Sequence, residues 1–428
     1  MTAGGDSTRR QRRVIFRLGA VLSIGLLAAG TSSERTAEAA PSDDATQRAK
    51  GRLQNDLFRN GEAGFVITEF AYALGPDAKE SGACPAGMTA GVRGLIEALS
   101  KGPAGQRKDG ETEQALQRRL TMAVNTAPNG QNICMHPEAA SADPGWRMVS
   151  GRDLKVDGID LDGRDPVSGK KQTVDTCSHE EFQGTQGERG VDNQFYRVVG
   201  CTSGFQSTGQ ANGFQTEMYT GSWGILMTLK GVDDPLNDPE VEVGLYANAD
   251  PIQLSASRSA LAYATYAAEQ DPRYRATTRG RIVDGVLTMD PVDVRFRNIV
   301  NSMTDDRLLK AARVRLKFTS DGGMEGFLAG YSPIEAIYDV QYGARSSRNA
   351  KGELAPEARR IQTSVGRAGA LGHSCNGAYH ALHKAADGHR DPKTGRCTSI
   401  STQYRIRVAP AFVVDAQTRS VNAPLALR

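Results

Sequence analysis

The stretch ARVRLKFTSDGGMEGFLAGY, Ala312 to Tyr331, contains two segments in which apolar and polar residues alternate. Alternation with a period of two is typical of a β-strand that has one face in the core. Asp321, Gly322 and Gly323 separate the two segments, and turn residues between alternating runs predict a hairpin. The stretch therefore predicts two antiparallel strands joined by a tight turn.

The same period of two extends on both sides of this hairpin, from about Gly151 onwards. In VEVGL (241–245) the two valines and the leucine share one face of a predicted strand. Asp284-Gly285 predicts a second hairpin in the same way. Hairpins without intervening helices favour antiparallel sheets, so the predicted fold class is α+β, with an antiparallel β-sandwich or jelly-roll-like core. Further strands are predicted at GILMTLKGV (224–232), DVRFRN (293–298) and TQYRIRVAPAFVV (402–414).

Helical patterns flank the β-rich part and interrupt it once. Apolar residues recur every three or four positions in much of 41–140, which predicts a helical N-terminal region. SASRSALAYATYAAE (255–269) predicts a helix between strands, and GAYHALHKAAD (377–387) predicts one near the C-terminus. The predicted organisation is a signal segment, a helical region, a β-rich core domain and a C-terminal helix-plus-strand region closed by a disulfide. Their bounds are 1–40, 41–140, 141–345 and 346–428.

The N-terminal segment has the order of features that defines an export signal. Arg12-Arg13 belongs to a cluster of basic residues, an apolar run from Leu18 to Gly30 follows, and TAEAAP offers small residues for cleavage. RRVIFR (12–17) resembles a twin-arginine signal, while the apolar run also suits the general secretory route. The run is too short to span a membrane, so we expect no transmembrane anchor after processing. The sequence predicts a bacterial periplasmic or secreted protein.

The charge of the chain is concentrated in this predicted signal. Residues 1–40 contain six of the 52 Lys/Arg and three of the 49 Asp/Glu, which leaves 46 of each in the remainder. A remainder with balanced charge and no large basic cluster lacks the electrostatic features of a nucleic-acid-binding surface. We therefore expect no nucleic-acid partner; a ligand or partner in the cell envelope stays unidentified at this point.

Six cysteines, an even number in a chain predicted to leave the cytosol, indicate disulfide bonds. Six cysteines allow fifteen pairings. Closing a short loop costs the least conformational entropy, so we predict bonds between neighbours in the sequence. The predicted pairs are Cys84–Cys134, Cys177–Cys201 and Cys375–Cys397.

The segment HSCNGAYHALHKAADGHRDPKTGRC (373–397) holds four of the six histidines. We interpret it as a helix and a turn closed by a disulfide, with Cys375 on the apolar face of the helix. His380 and His383 are adjacent on the opposite side and are candidate ligands of a transition metal. The common helical zinc pair, spaced i,i+4 with a glutamate between, is absent. Cysteine and histidine also recur two residues apart, as in Cys177 and His179, which we interpret as coincidence.

A loop rich in carboxylates is the second candidate metal site. In DGIDLDGRDPVSG (157–169), Asp160, Asp162 and Asp165 lie close together and Gly163 allows a tight turn, an arrangement that suits calcium. Closure of a disulfide loop between residues 177 and 201 would bring Asp192 to the same place. The spacing does not match an EF-hand, and a solvated acidic hairpin is the alternative. Both interpretations stay open.

The segment from Asp157 to Cys201, with its D-L-D-G, cysteine and G-V-D-N motifs, resembles a group of uncharacterised exported bacterial envelope proteins. The resemblance covers about fifty residues and implies a place in the cell envelope or outside the cell. It implies no activity and transfers no catalytic residue to this chain.

Sequence motifs of common enzymes are absent from the chain. It has no G-x-S-x-G, no P-loop, no dinucleotide fingerprint and no C-x-x-C-H, so we expect neither a nucleotide cofactor nor haem c. The leading hypothesis is an exported β-rich binding or structural protein, stabilised by calcium if the acidic loop binds it. The alternative is an extracytoplasmic metal-dependent hydrolase, since catalytic residues converge from distant positions in a fold.

Overall fold

A single sheet of eleven strands dominates the fold. The computed structural model describes residues 57–75, 82–151, 154–163, 174–185, 187–206, 209–220, 223–300 and 303–415. In chain order the strands are β1 (Ala63–Tyr72), β2 (Ile225–Lys230), β3 (Asp238–Ala247), β4 (Thr265–Ala268), β5 (Arg275–Val283), β6 (Val286–Met289), β7 (Val292–Val300), β8 (Met303–Phe318), β9 (Met324–Pro333), β10 (Gly388–Arg390) and β11 (Cys397–Asp415).

Eight of these strands close into a ring. Each of β1, β2, β3, β5, β6, β8, β9 and β11 pairs antiparallel with the next, and β11 pairs with β1. The closing pair runs from Gly64 opposite Ala411 to Tyr72 opposite Tyr404. Three strands lie off the ring: β7 pairs with β8, β10 with β11, and β4 runs parallel to the end of β11. Closure gives every strand of the ring a partner on both edges.

One face of each strand in the ring contributes to a common apolar core. Leu287, Leu316 and Leu328 are all fully buried, and burial of each such side chain stabilises the fold by about 1.5–3 kcal/mol. The predicted face of VEVGL (241–245) is confirmed, because its two valines and its leucine are buried and its glutamate is exposed. The apolar residues of the alternating segments in the sequence are therefore the residues that form this core.

Both predicted hairpins are confirmed. Val283 pairs with Val286 across a two-residue turn in which Asp284 and Gly285 have φ of 51° and 71°. Two consecutive left-handed residues define the type I′ turn that Asp-Gly favours. Between β8 and β9, Thr319 N–H donates to the Gly323 carbonyl at 2.9 Å and closes the second turn.

The helices lie outside the sheet. They are α1 (Gly91–Ser100), α2 (Glu113–Val124), α3 (Gln194–Val199), α4 (Phe214–Tyr219), α5 (Ile334–Tyr338), α6 (Glu357–Leu371) and α7 (Cys375–Lys384). Within the region predicted as helical, α1 and α2 are helices, and α7 covers most of the helix predicted over 377–387. The Thr112 side chain caps α2 by accepting from Ala115 N–H at 3.2 Å. Cys375 is buried on the inner face of α7, as predicted.

Three predictions about the fold differ from the structure. The N-terminal region predicted as helical contains β1, whose residues Phe65, Val66 and Ile67 are all fully buried, so the strand shows no alternation. The helix predicted over 255–269 is wrong, because two residues there have positive φ and Thr265–Ala268 pairs with β11 instead. The strands form one sheet that closes on itself, so a sandwich or jelly roll is not confirmed.

All six cysteines form disulfides, but the predicted pairing is wrong in every case. The bonds join residues separated by 117, 241 and 220 positions. Loop entropy favours sequence neighbours in the unfolded chain, yet the folded ring brings distant segments together and decides the partners. The pairs are Cys84–Cys201, Cys134–Cys375 and Cys177–Cys397.

The described part of the chain contains no helix that is long and apolar enough to cross a membrane. Residues 1–40, the predicted export signal, lie outside the described residues.

Candidate metal centre

Side chains from three chain segments meet beside β11. Asp162 belongs to the acidic loop, His179 follows the disulfide-bonded Cys177, and Asp192 lies two residues before α3. One ligand atom from each of Asp162, His179 and Asp192 lies within 4.8 Å of the other two. Among the described residues this is the one group of three acidic, histidine or cysteine side chains so arranged. We refer to Asp162, His179 and Asp192 as the metal-site triad.

Asp192 is the most extensively hydrogen-bonded member of the metal-site triad. Its side chain is completely buried, and its Oδ1 lies 2.7 Å from His179 Nε2. Its Oδ2 accepts hydrogen bonds from the backbone N–H groups of Leu161 and Asp162, at 2.6 and 3.2 Å. The Gln403 side chain holds the backbone of Asp192 by donating to its carbonyl at 2.7 Å. Asp192 therefore fastens the acidic loop to the sheet.

The backbone carbonyl of Cys177 orients the imidazole of His179. Its Nδ1 lies 2.8 Å from the Cys177 carbonyl oxygen, so Nδ1 carries a proton and Nε2 faces Asp192. Burial alone would lower the pKa of His179, but the hydrogen bonds to Asp192 and to the Cys177 carbonyl and the charge of Asp387 raise it to about 9. Without a metal ion the imidazole is thus a cation that balances buried carboxylates. Its Nε2 is also the atom that a metal ion would bind in place of the proton.

Asp387 adds a fourth side chain, immediately before β10. Its carboxylate is fully buried, and Oδ1 accepts from Ser401 N–H at 2.7 Å. Oδ2 makes no hydrogen bond and lies 3.9 Å from His179 Nε2. Burial, opposed by the Ser401 hydrogen bond and by His179, raises the pKa of Asp387 to about 7.

Tyr331 of β9 is a second buried group beside the carboxylates. Its hydroxyl makes no hydrogen bond. Burial raises the pKa of Tyr331, and the charges of Asp192, Asp387 and Asp162 raise it further, which places the hydroxyl near all three carboxylates. Buried polar atoms are almost always satisfied by protein groups, water or an ion. Among the described residues, Tyr331 Oη and Asp387 Oδ2 are thus two buried polar atoms without a protein hydrogen-bond partner.

Asp160 shapes the acidic loop from within. Its Oδ1 accepts from the backbone N–H groups of Asp162 and Gly163, at 3.1 and 2.6 Å. Burial, with smaller contributions from Asp192 and Asp162, raises the pKa of Asp160 to about 6. A Cβ at Gly163 would lie 1.9 Å from Oδ2 of Asp160, so a larger residue at this position would displace that carboxylate. Thr176 Oγ1 donates to Asp162 Oδ2 at 3.1 Å.

The sequence predicted part of this centre. Of the four predicted calcium ligands, Asp160, Asp162 and Asp192 do come together, whereas Asp165 lies outside the described residues. No pattern in the sequence places His179 and Asp387 in the same group. The spacing of His179 two residues after Cys177 is the signal for His179 that the sequence offers, and the structure shows that this spacing is more than coincidence.

The predicted histidine pair on α7 has separate partners. His380 Nε2 lies 2.8 Å from the Ala140 carbonyl oxygen, and His383 Nε2 lies 3.2 Å from Glu335 Oε1. The Tyr379 ring packs against both imidazoles. A transition metal at His380 and His383 stays a prediction, as does calcium at the acidic loop.

The donor set around His179 indicates which ions fit. Zinc combines histidine nitrogen with carboxylate oxygen and takes four ligands. Calcium takes six to eight oxygen ligands and does not favour an imidazole nitrogen as a ligand. The metal-site triad with Asp387 provides one nitrogen and three carboxylates, which suits zinc better than calcium.

Comparison of the chain with protein-family models, with curated proteins and with solved structures found no significant match.

Proposed function

We propose that the protein is an exported, disulfide-bonded binding or structural protein of the bacterial envelope that holds one structural zinc ion. The ion is bound by Asp162, His179, Asp192 and Asp387 and joins the acidic loop to β11. The observation that carries this proposal is the unpartnered, fully buried Oδ2 of Asp387 beside His179.

Export is supported by the cysteines. All six are bonded, and none is free. Disulfides persist in the periplasm and outside the cell but are rare in the reducing cytosol. The order of basic, apolar and small residues before residue 41 supports the same location.

Electrostatics favours a cation at the centre. Asp162, Asp192 and Asp387 place three carboxylates around a single imidazole, and two of the three are fully buried. Buried carboxylates repel each other unless a cation compensates them. A divalent ion supplies two positive charges and also satisfies Asp387 Oδ2, whereas a protonated His179 supplies one.

A structural role is favoured over hydrolysis by the way the centre is closed. A catalytic zinc keeps one position open for water or substrate, whereas a structural zinc is surrounded by four protein ligands. Asp387 Oδ2 lies 3.9 Å from His179 Nε2, outside the triad, and moves toward the triad to complete a set of four when the ion binds; the His179 side chain is only 9% exposed. The other histidines that a hydrolase site could use lie elsewhere: His136 beside Glu138 at 3.5 Å, and His383 beside Glu335.

The test measures zinc content and zinc-dependent stability in wild type, His179→Gln and His383→Gln. Protein purified from the periplasm or medium should contain about one zinc per chain. Removal of zinc with a chelator should lower the melting temperature, and added zinc should restore it by mass action. His383→Gln is the matched control, since it removes an imidazole that has a carboxylate partner outside the centre.

His179→Gln should abolish both the bound zinc and the response of the melting temperature, while His383→Gln should keep both. A simple loss of the ion pair between His179 and Asp192 would lower stability without changing any metal response, so the two explanations are separable. Calcium tested in parallel decides the alternative for the acidic loop. Wild type that contains no zinc and melts identically with zinc and with chelator would contradict the proposal.

A further inference from the structure

A cavity of about 580 Å³ lies where β7 and β8 meet α4 and α6. It shares no lining residue with the metal centre. Its volume falls in the range of sites for small organic molecules, roughly 300–1,000 Å³. The lining residues are mainly polar and include Glu217, Asn298, Arg307, Gln341, Arg359 and Arg367.

Arg307 of β8 is the most unusual lining residue. Its side chain is 2% exposed, although a buried charge is costly unless it is compensated. Its Nη1 donates to Tyr72 Oη at 2.9 Å and to Tyr404 Oη at 3.1 Å, and its Nη2 donates to Asn298 Oδ1 at 3.0 Å. All three acceptors are neutral. They fix the orientation of the guanidinium group.

The side chains around Arg307 are linked by a hydrogen bond and a pair of stacked rings. Tyr72 Oη also accepts from Gln341 Nε2 at 2.7 Å, and the rings of Tyr72 and Tyr404 are stacked with centroids 5.1 Å apart. Both tyrosines belong to the pair of strands that closes the ring. A guanidinium group held in one orientation at a cavity wall loses little entropy when it binds a ligand.

The charges that line the cavity are unequal. Arg307, Arg359 and Arg367 contribute three positive charges, and Glu217 contributes the one negative charge. Arg367 is also paired with Asp305 at 2.9 Å, behind the cavity wall. Burial raises the pKa of Glu217, while Arg307 and Arg367 lower it, so this carboxylate faces both guanidinium groups. Glu217 thus competes with an anionic ligand group for these guanidinium groups.

We propose that this cavity binds a small organic anion that carries a carboxylate or phosphate group together with hydroxyl groups, of the type of a sugar acid or sugar phosphate. Arg307 binds the anionic group, because a guanidinium fork matches the oxygens of carboxylate and phosphate. The side-chain amides of Asn298 and Gln341 and the hydroxyl of Thr363 provide donors and acceptors for the ligand hydroxyls. The inference rests on the proposed binding role, but not on zinc.

The experiment is calorimetric titration of the full protein with glucuronate, glucose 6-phosphate and glucose, in a low-salt buffer. The two anions distinguish carboxylate from phosphate recognition, and glucose is the neutral control of similar size. We expect saturable binding of at least one anion, at least tenfold tighter than that of glucose. No saturable heat with either anion at 10 mM, or equal affinity for glucose, would overturn the proposal.

Three variants test whether the anion binds in this cavity. Arg359→Gln removes an exposed positive charge of the lining and should weaken anion binding about fivefold to tenfold. Glu217→Gln removes the competing carboxylate and should tighten it by a similar factor. Arg118→Gln, an exposed arginine of α2 outside the cavity, should leave it unchanged. Equal dissociation constants for all four proteins would place the anion elsewhere and refute the assignment.

Circular dichroism and melting curves confirm that each variant is folded before titration. Zinc content, measured on the same samples, separates the two proposals. A protein that contains zinc but binds no anion contradicts only the cavity assignment. A protein that binds the anion without zinc contradicts only the metal centre.

Discussion

Removing the bond between Cys134 and Cys375 should lower the free energy of unfolding by about 4 kcal/mol. The two residues are 241 positions apart, but the unfolded chain remains crosslinked by the other disulfides. The bond between Cys177 and Cys397 provides a shorter path, with 43 residues from Cys134 to Cys177 and 22 from Cys375 to Cys397. The loop that opens is thus about 65 residues.

The magnitude follows from the entropy of closing that loop. A loop of about 65 residues corresponds to about 4.3 kcal/mol at 25 °C, whereas an isolated loop of 241 residues would correspond to about 5.5 kcal/mol. Both half-cystines are buried, so replacement of Cys134 and Cys375 by alanine adds a small packing loss. Urea denaturation followed by tryptophan fluorescence measures the difference between wild type and Cys134→Ala/Cys375→Ala.

Free thiols counted after denaturation test the pairing itself. Cys134→Ala/Cys375→Ala should contain none, since both partners of one bond are gone. The control Cys375→Ala/Cys397→Ala should contain two, because it leaves Cys134 and Cys177 without their partners. The reverse counts would show that Cys375 bonds to Cys397 and would refute this structure of the chain, as would a stability change below about 1 kcal/mol.

Two further predictions concern the core. His373 is fully buried, and its ring makes no hydrogen bond. Burial lowers the pKa of the imidazole to about 3 in the folded protein. Between about pH 3 and pH 6.5 the imidazole is therefore protonated in the unfolded state and neutral in the folded state. The neutral, buried imidazole therefore costs no stability well above pH 6.5, and the free energy of unfolding falls as the pH drops below that value, by about 3 kcal/mol at pH 4.5. Urea denaturation at pH 7 and 4.5 should show a smaller pH dependence for His373→Phe, and an unchanged one would contradict this. Leu316→Ala should lower the free energy of unfolding by about 2–5 kcal/mol, because the side chain is fully buried. Lys317→Ala, at its exposed neighbour, should lower it by less than about 0.5 kcal/mol in the same urea assay. Similar losses for both variants would refute the assignment of the buried face of β8.

The sequence predicted those strands that have one buried face. In β8 the exposed Lys317 and the buried Leu316 alternate, and the Asp284-Gly285 turn is specified by two residues that tolerate positive φ. The strand β1 was missed because Phe65, Val66 and Ile67 are buried on both faces. Such a strand has no period of two, and its flanks had a helical pattern.

The disulfides and the metal centre depend on contacts that no local pattern encodes. Loop entropy describes the unfolded chain. In the folded chain Cys375 reaches Cys134 because α7 packs beside the turn at Pro137–Ala139, just after Cys134. The aspartates of the acidic loop were predictable because they are neighbours in the sequence. Asp387 lies almost 200 residues further along the chain than Asp192. It reaches His179 through the pairing of β10 with β11, the Cys177–Cys397 disulfide and a hydrogen bond from Cys177 N–H to the Asp387 carbonyl at 2.8 Å.

The pairing of β1 with β11 has a consequence for the order of folding during synthesis. About 325 residues separate the end of β1 from the start of β11, which takes a ribosome between about 15 and 65 s at 5–20 residues per second. Until then the edge of β1 that receives β11, and the matching edge of β9, have unpaired backbone groups, and such edges are templates for aggregation. High contact order also makes the final closure slow. The nascent chain therefore exposes two unpaired strand edges until its last strand has been made, and aggregation at this stage is avoided only if those edges are shielded.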